Sequence, residues 1–130
     1  MTKRIEHVVA VLQIDSYQAA VEFYVEKLGF EIQMEHRHEP GFPVFMVVKR
    51  GELVFALSEH GKGHPGTELY VYVDDVQDWY QRCLQNDINN LLPPDKKPWG
   101  NTEMAITDPF RNLLRITQVD THEGKSTPNK

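Results

Sequence analysis

Cysteine is nearly absent: Cys83 stands alone in a chain of 130 residues. A single thiol excludes an intrachain disulfide and a thiolate-rich metal site. Its place on the apolar side of a predicted helix assigns it to the core as a small hydrophobe. Long apolar runs are missing too, and nothing approaches the roughly 18 residues of a membrane span. Met1-Thr2-Lys3-Arg4 leads straight into a strand with no apolar signal stretch, so the expectation is a cytoplasmic protein with no membrane partner. Basic clusters are also lacking. With 14 Lys and Arg against 19 Asp and Glu the formal charge is -5. No patch exists to neutralise phosphates, which argues against nonspecific nucleic-acid binding. No serine–histidine–acid order or nucleophile elbow appears, and Cys83 has no visible histidine partner, so no catalytic residue is assigned. What is present is globular: 40% apolar and 25% charged residues, enough for one domain with a core.

Two stretches of the chain repeat one order of elements. In the first, an apolar strand runs from Ile5 to Leu12, and Ser16 caps a helix from Tyr17 to Lys27. Apolar Tyr17, Val21, Tyr24 and Leu28 recur at helical spacing, widened by Ala20 and Phe23. Gly29 ends the helix with a positive backbone angle. Strands follow at Phe30 to His38, Phe42 to Val48 and Leu53 to Leu57. His60 to Gly66 is rich in glycine and reads as the link. In the second stretch, Leu69 to Val73 is a strand, and Asp74 or Asp75 caps a helix with Val76, Trp79, Tyr80, Cys83 and Leu84 on one face. Ile88 to Leu92, Glu103 to Thr107 and Leu113 to Gln118 complete the set. The fold class is therefore α+β, two β-α-β-β-β modules at about 5–60 and 67–119 within a single domain, 1–119. Polar residues 120–130 are expected to be a flexible tail.

Alternation sorts the side chains of the second module. Leu69, Val71 and Val73 face the helix, while Glu68, Tyr70, Tyr72 and Asp74 point the other way. Met104 and Ile106 oppose Glu103, Ala105 and Thr107, and Leu114 and Ile116 oppose Leu113, Arg115 and Thr117. A polar and aromatic row thus collects Glu68, Tyr70, Tyr72, Glu103 and Arg115 away from the helix. Arg115 can pair with Glu68 or Glu103 across the sheet, or offer its donors to a ligand. Tyr70 and Tyr72 suit stacking on flat rings and attraction of cations, or else fill the interior with their hydroxyls paired. Trp99 lies in the turn before Glu103. The two glutamates would serve as general bases if a cleft buries them.

Ala20-Val21-Glu22-Phe23-Tyr24 with Lys27-Leu28-Gly29-Phe30, and Asp108-Pro109-Phe110-Arg111-Asn112 followed by a strand, resemble the vicinal oxygen chelate superfamily. That group contains glyoxalase I, extradiol dioxygenases, fosfomycin resistance enzymes and bleomycin resistance proteins. Pro98-Trp99-Gly100 and the Tyr70-Val71-Tyr72-Val73 strand look most similar to the bleomycin resistance branch. The resemblance spans about residues 5 to 119. It implies two modules forming a curved, incomplete barrel around a cleft, a homodimer, and sequestration of a small-molecule ligand without chemistry.

The resemblance also implies where a metal would be held: one ligand each near Val9, Ala56, Glu68 and Arg115. Valine and alanine have no donor atoms and a guanidinium is cationic, so only Glu68 qualifies. No metal and no cofactor is expected. His36 and His38 share a strand face at i,i+2, a spacing metals can use, but Arg37 and Pro40-Gly41 mark a hairpin rim. His60 and His64, in the glycine-rich link, are no stronger. The expected function is non-catalytic binding of an aromatic or cationic small molecule in a metal-free cleft by Glu68, Tyr70, Tyr72, Trp99, Glu103 and Arg115. The alternative is a metal-dependent glyoxalase-type lyase or dioxygenase, which would need His7 to replace Val9.

Overall fold

The computed structural model describes residues 6–61 and 66–120. The expected strand start at Ile5, His64 and the tail past Asp120 lie outside the described residues. The chain divides into two compact units, Met1–Pro65 and Gly66–Lys130, and each carries the same element order.

In the first unit, β1 (Ala10–Gln13) leads into α1 (Tyr17–Ala20), which continues as a π-helical stretch over Val21–Lys27, followed by β2 (Glu31–His36), β3 (Phe45–Arg50) and β4 (Leu53–Ser58). Ser16 caps the helix as expected, its side chain accepting from the Ala19 amide at 3.1 Å. The wider winding was not anticipated. Leu28 N–H donates to Phe23 five residues back and Phe30 N–H to Tyr24. Turning less per residue, the segment buries the neighbours Phe23 and Tyr24 together. Their rings meet edge to face at 4.9 Å, and Tyr24 reaches Phe55 of β4 at 6.4 Å. Gly29 then ends the helix at φ +82, a conformation glycine adopts without a Cβ clash.

The sheet order is β1-β4-β3-β2, with β1 parallel to β4 and the other pairs antiparallel. Aligned Leu12, Leu57 and Met46, and Phe55 with Val48, are buried. The opposite face carries the row Val11, Ala56, Val47 and Met34, whose two end residues are exposed. Two expected boundaries move. β2 ends at His36, so His38 leaves the strand and its ring lies 5.7 Å from that of Phe42. β3 starts at Phe45 because Phe42 is held in a turn by its amide bond to Glu39.

The second unit repeats the plan with β5 (Glu68–Tyr72), α2 (Val76–Gln85), β6 (Leu91–Lys96), β7 (Asn101–Thr107) and β8 (Leu113–Val119), in the order β5-β8-β7-β6. Asp75, not Asp74, is the cap, accepting from Asp78 N–H at 3.1 Å. Val76, Trp79 and Cys83 are buried, whereas Leu84 is exposed. One residue past Cys83 the helix has turned Leu84 off the buried line. Under α2 lie the aligned Val71, Ile116 and Met104, and beside them Leu114 and Ile106.

The strand expected at Ile88 to Leu92 forms three residues later, as β6. Asp87 at φ +61 and the amide bond from Ile88 to Cys83 use up the start of that run in stopping the helix. Pro93 and Pro94 fall inside β6, which pairs only with β7 and slips register between Leu92 and Asp95. An edge strand with a bulge tolerates residues that cannot donate.

Candidate functional site

The β7–β8 connection fixes where the site residues stand. Asp108 is buried and accepts from the Phe110 and Asn112 amides at 2.8 and 2.7 Å, while its other oxygen takes the Asn112 side chain at 2.8 Å. Asn112 passes the connection on, its Oδ1 accepting from Thr67 N–H at 2.8 Å. Leu113 N–H donates to the Thr67 carbonyl at 2.8 Å. The Asp-Pro-Phe-Arg-Asn motif is thus a clamp that sets β8 beside β5. Gly66 completes it, because a Cβ there would lie 1.8 Å from the Arg111 carbonyl oxygen.

With that register set, the sheet face opposite α2 carries two cross-strand rows. Tyr70, Arg115, Ala105 and Leu92 form one, and Tyr72, Thr117, Glu103 and Asp95 the other. Arg115 sits at the centre. Its Nε donates to Glu68 Oε2, and its Nη1 donates to Glu103 Oε2 at 3.2 Å. The two partners proposed as alternatives from the sequence are both engaged. The Glu68 hydrogen bond leads in raising Arg115 above the ordinary arginine value, so the side chain is a fixed cation. The carboxylates differ in exposure: the Glu103 side chain is 4% exposed and that of Glu68 is 53%. A buried carboxylate needs such a partner.

The aromatics divide. Tyr70 and Tyr72 are 52% and 61% exposed, with rings near parallel (22°) and centroids 6.3 Å apart. The Arg115 guanidinium carbon lies 5.9 Å from the Tyr70 centroid. Both tyrosines are thus exposed side chains and not packed among the described residues. Trp99 is exposed in a turn held by Gly100 N–H on the Lys97 carbonyl at 3.1 Å, and among the described residues it makes no hydrogen bond or ring contact with the network. The structure therefore joins Glu68, Tyr70, Tyr72, Glu103 and Arg115, and leaves Trp99 apart.

Beside Arg115 is a hollow of about 350 Å³ whose wall includes Leu92, Pro94, Asp95, Lys97 and Glu103. Sequence reading missed this wall because it ended the strand at Leu92. Thr117 was also passed over. It is fully buried, its hydroxyl 3.4 Å from Glu103 Oε1 and 3.3 Å from the Arg115 carbonyl, and its position two residues after Arg115 was the available signal.

The residues do not fit the metal site of the superfamily's enzymes. Val9 and Ala56 supply no donor atoms, and at the fourth position the Arg115 cation is bound to Glu68, the one candidate ligand. Among the described residues no three His, Cys, Asp or Glu side chains gather as a metal site would require. Among those residues, too, no helix is long and apolar enough to cross a membrane.

Comparison with known proteins matches the sequence and the fold to a defined group. The profile of the family described as glyoxalase superfamily protein matches residues 2–123. A bleomycin resistance protein of Klebsiella pneumoniae is 27% identical over 120 residues, covering 85% of this chain and 90% of the relative. Among solved structures, a bleomycin resistance determinant encoded on the transposon Tn5 superposes with TM-score 0.74 at 25% identity, over 88% of this chain and 98% of that one. A bleomycin-binding protein complexed with bleomycin gives TM-score 0.73 at 25% identity with the same coverage.

Proposed function

The chain belongs to the glyoxalase superfamily, and from that premise we propose that it binds and sequesters a small planar ligand without converting it. The observation that carries the proposal is the face built on β5 and β8. Two exposed, near-parallel tyrosine rings share it with Arg115, which lies beside the first of them and is held by two carboxylates. Flat aromatic faces recruit rings by stacking and cations through their quadrupole. The hydroxyl–carboxylate pair on this face, Thr117 with Glu103, is buried, and among the described residues of the face no exposed nucleophile is paired with a base. Glu68, Tyr70, Tyr72, Glu103 and Arg115 are the proposed contacts, with Trp99 as a sixth that a bound ligand would have to reach. Similarity to a protein solved with bleomycin makes that drug, or a ligand with like planar and cationic parts, the first to test.

A homodimer belongs to the same proposal. Support comes from the first unit, where Val11 and Met34, the two ends of one cross-strand row, are exposed apolar side chains although Ala56 between them is buried. Sedimentation at micromolar concentration should give twice the chain mass, and a monomeric mass would remove this part. A cytoplasmic location is also proposed, in keeping with one buried cysteine that needs no oxidising compartment. The two units are taken to serve as one ligand-binding domain.

The test is titration calorimetry with metal-free bleomycin in chelator, followed by mass spectrometry of the recovered drug. Saturable heat and an unaltered mass are expected. No heat together with no change in tryptophan fluorescence at high micromolar drug would exclude bleomycin as the ligand.

A further inference from the structure

Arg115 spends only part of its hydrogen-bonding capacity on the protein. Nε is taken by Glu68 and one Nη1 hydrogen by Glu103, while Nη2 has no partner among the described residues. Glu68 is in the same condition: Oε2 holds Nε, and Oε1 has no recorded partner on a side chain that is half exposed. The unused donor and the unused acceptor flank one ion pair. Beside them is the Tyr70 ring, and on the other side of Arg115 is the hollow walled by Leu92 and Pro94.

Because Arg115 is gripped by carboxylates from β5 and β7, its direction is set before any ligand arrives, and little ordering cost remains to be met on binding. Charge then selects among ligand edges. A carboxylate would satisfy Nη2 but bring its second oxygen against Glu68. An amidinium would satisfy Glu68 but aim its other donor at Arg115. A group with a C=O and an N–H side by side satisfies both atoms and adds no charge to a trio that already sums to -1 from Glu68, Glu103 and Arg115.

We propose that Glu68 and Arg115 form an amide-reading edge: Nη2 donates to a ligand carbonyl, Oε1 accepts the adjacent ligand N–H, and the attached ring stacks on Tyr70. The ligand class is a planar ring bearing a primary carboxamide, a lactam or a comparable acceptor–donor edge. This inference rests on the planar-ligand reading above and narrows it from charge to hydrogen-bond pattern.

Benzamide, benzoate and benzamidine share one ring and nearly one shape, and differ only in that edge. Each is titrated at millimolar concentration into the full chain while the Arg115 Nε–H and Tyr70 signals are followed by NMR. Benzamide should move both and bind about fivefold tighter than the other two, the scale of one matched bond to a charged group on a partly wet face. In Glu68→Gln the preference should shrink, with benzoate gaining most, because the opposing charge is gone. Circular dichroism of that variant checks that it folds, and in Glu68→Asp, with the charge kept but the reach shortened, benzamide should weaken while benzoate gains nothing.

Equal or tighter binding of benzoate or benzamidine with the same signals moved would overturn the amide edge and leave the planar-ligand reading standing. Failure of all three to move Tyr70 or Arg115 would also overturn it. The parent reading fails separately, on the bleomycin titration.

Discussion

Replacing Arg115 with methionine removes the cation and keeps much of the side-chain volume, which isolates the charge pairing. Glu103 would be left at 4% side-chain exposure with, among the described residues, only the Thr117 hydroxyl, 3.4 Å away, as a neighbouring donor. Stranding one member of a fully buried pair costs about 3–5 kcal/mol. Arg115 is itself 31% exposed, so water screens part of the interaction, and the half-exposed Glu68 contributes no more than about 1 kcal/mol. The expected loss is about 2–3 kcal/mol, below the fully buried limit. Urea denaturation with an unchanged slope measures it as a shift in midpoint. The double variant Arg115→Met with Glu103→Gln should recover most of the loss, because no buried charge then lacks a counter-ion. A single-variant loss under about 0.5 kcal/mol, the size of a surface substitution, would refute the reasoning. So would a double variant no more stable than Arg115→Met alone.

Four further outcomes follow from the same geometry. Gly66→Ala must push a methyl into the Arg111 carbonyl and loosen the Thr67–Asn112 and Leu113–Thr67 bonds. At about 1 kcal/mol per bond, a loss of at least about 2 kcal/mol should appear in thermal melts. Asp120 is held below the usual carboxylate range, first by the Thr102 hydroxyl and then by Lys96 and Gln118. A depressed carboxylate stabilises the fold above its unfolded value and loses that contribution as pH falls through the folded value. The stability gap between wild type and Asp120→Asn should therefore be present at neutral pH and close between about pH 5 and pH 2; a constant gap would contradict the pairing. Cys83 is buried in α2, so a thiol reagent should react only as fast as the chain opens, and immediate stoichiometric labelling would place it elsewhere. Elemental analysis of protein purified without chelator should find no stoichiometric nickel, zinc, iron or manganese; finding one would reopen the lyase or dioxygenase alternative.

The module order, the helix caps and the two faces of β5, β7 and β8 were legible because they depend on local chemistry. Ser16 needs only its own helix, Gly29 only its own backbone angle, and Tyr70 and Tyr72 only the two-residue alternation of one strand. Pairings across strands were not legible. Arg115 could be assigned to Glu68 or to Glu103, and holding both at once depends on the registers of β8 with β5 and with β7. Those registers are set by the Asp108 and Asn112 clamp, whose bonds reach back to Thr67. The π-helical winding at Val21–Lys27 was hidden because the stripe Ala20, Tyr24 and Leu28 fits either helix. Burying Phe23 as well sets its ring against Tyr24, which in turn meets Phe55 of β4. Pro93-Pro94 can stand in a strand because the order β5-β8-β7-β6 puts them at an edge, and the strand read from the sequence stopped at Leu92, just before them. The hollow beside Arg115 depends on that edge, so it was lost with it.

The central claim is that the face carrying Glu68, Tyr70, Tyr72, Glu103 and Arg115 holds a ligand without converting it. Amide chemical-shift mapping of the labelled protein with metal-free bleomycin, in chelator, tests it most directly. Saturable shifts centred on Glu68–Tyr72, Glu103 and Arg115, with the drug's own spectrum unchanged over hours, are the result expected. Shifts confined to the first unit, no saturable shifts at all, or the growth of product signals would contradict it.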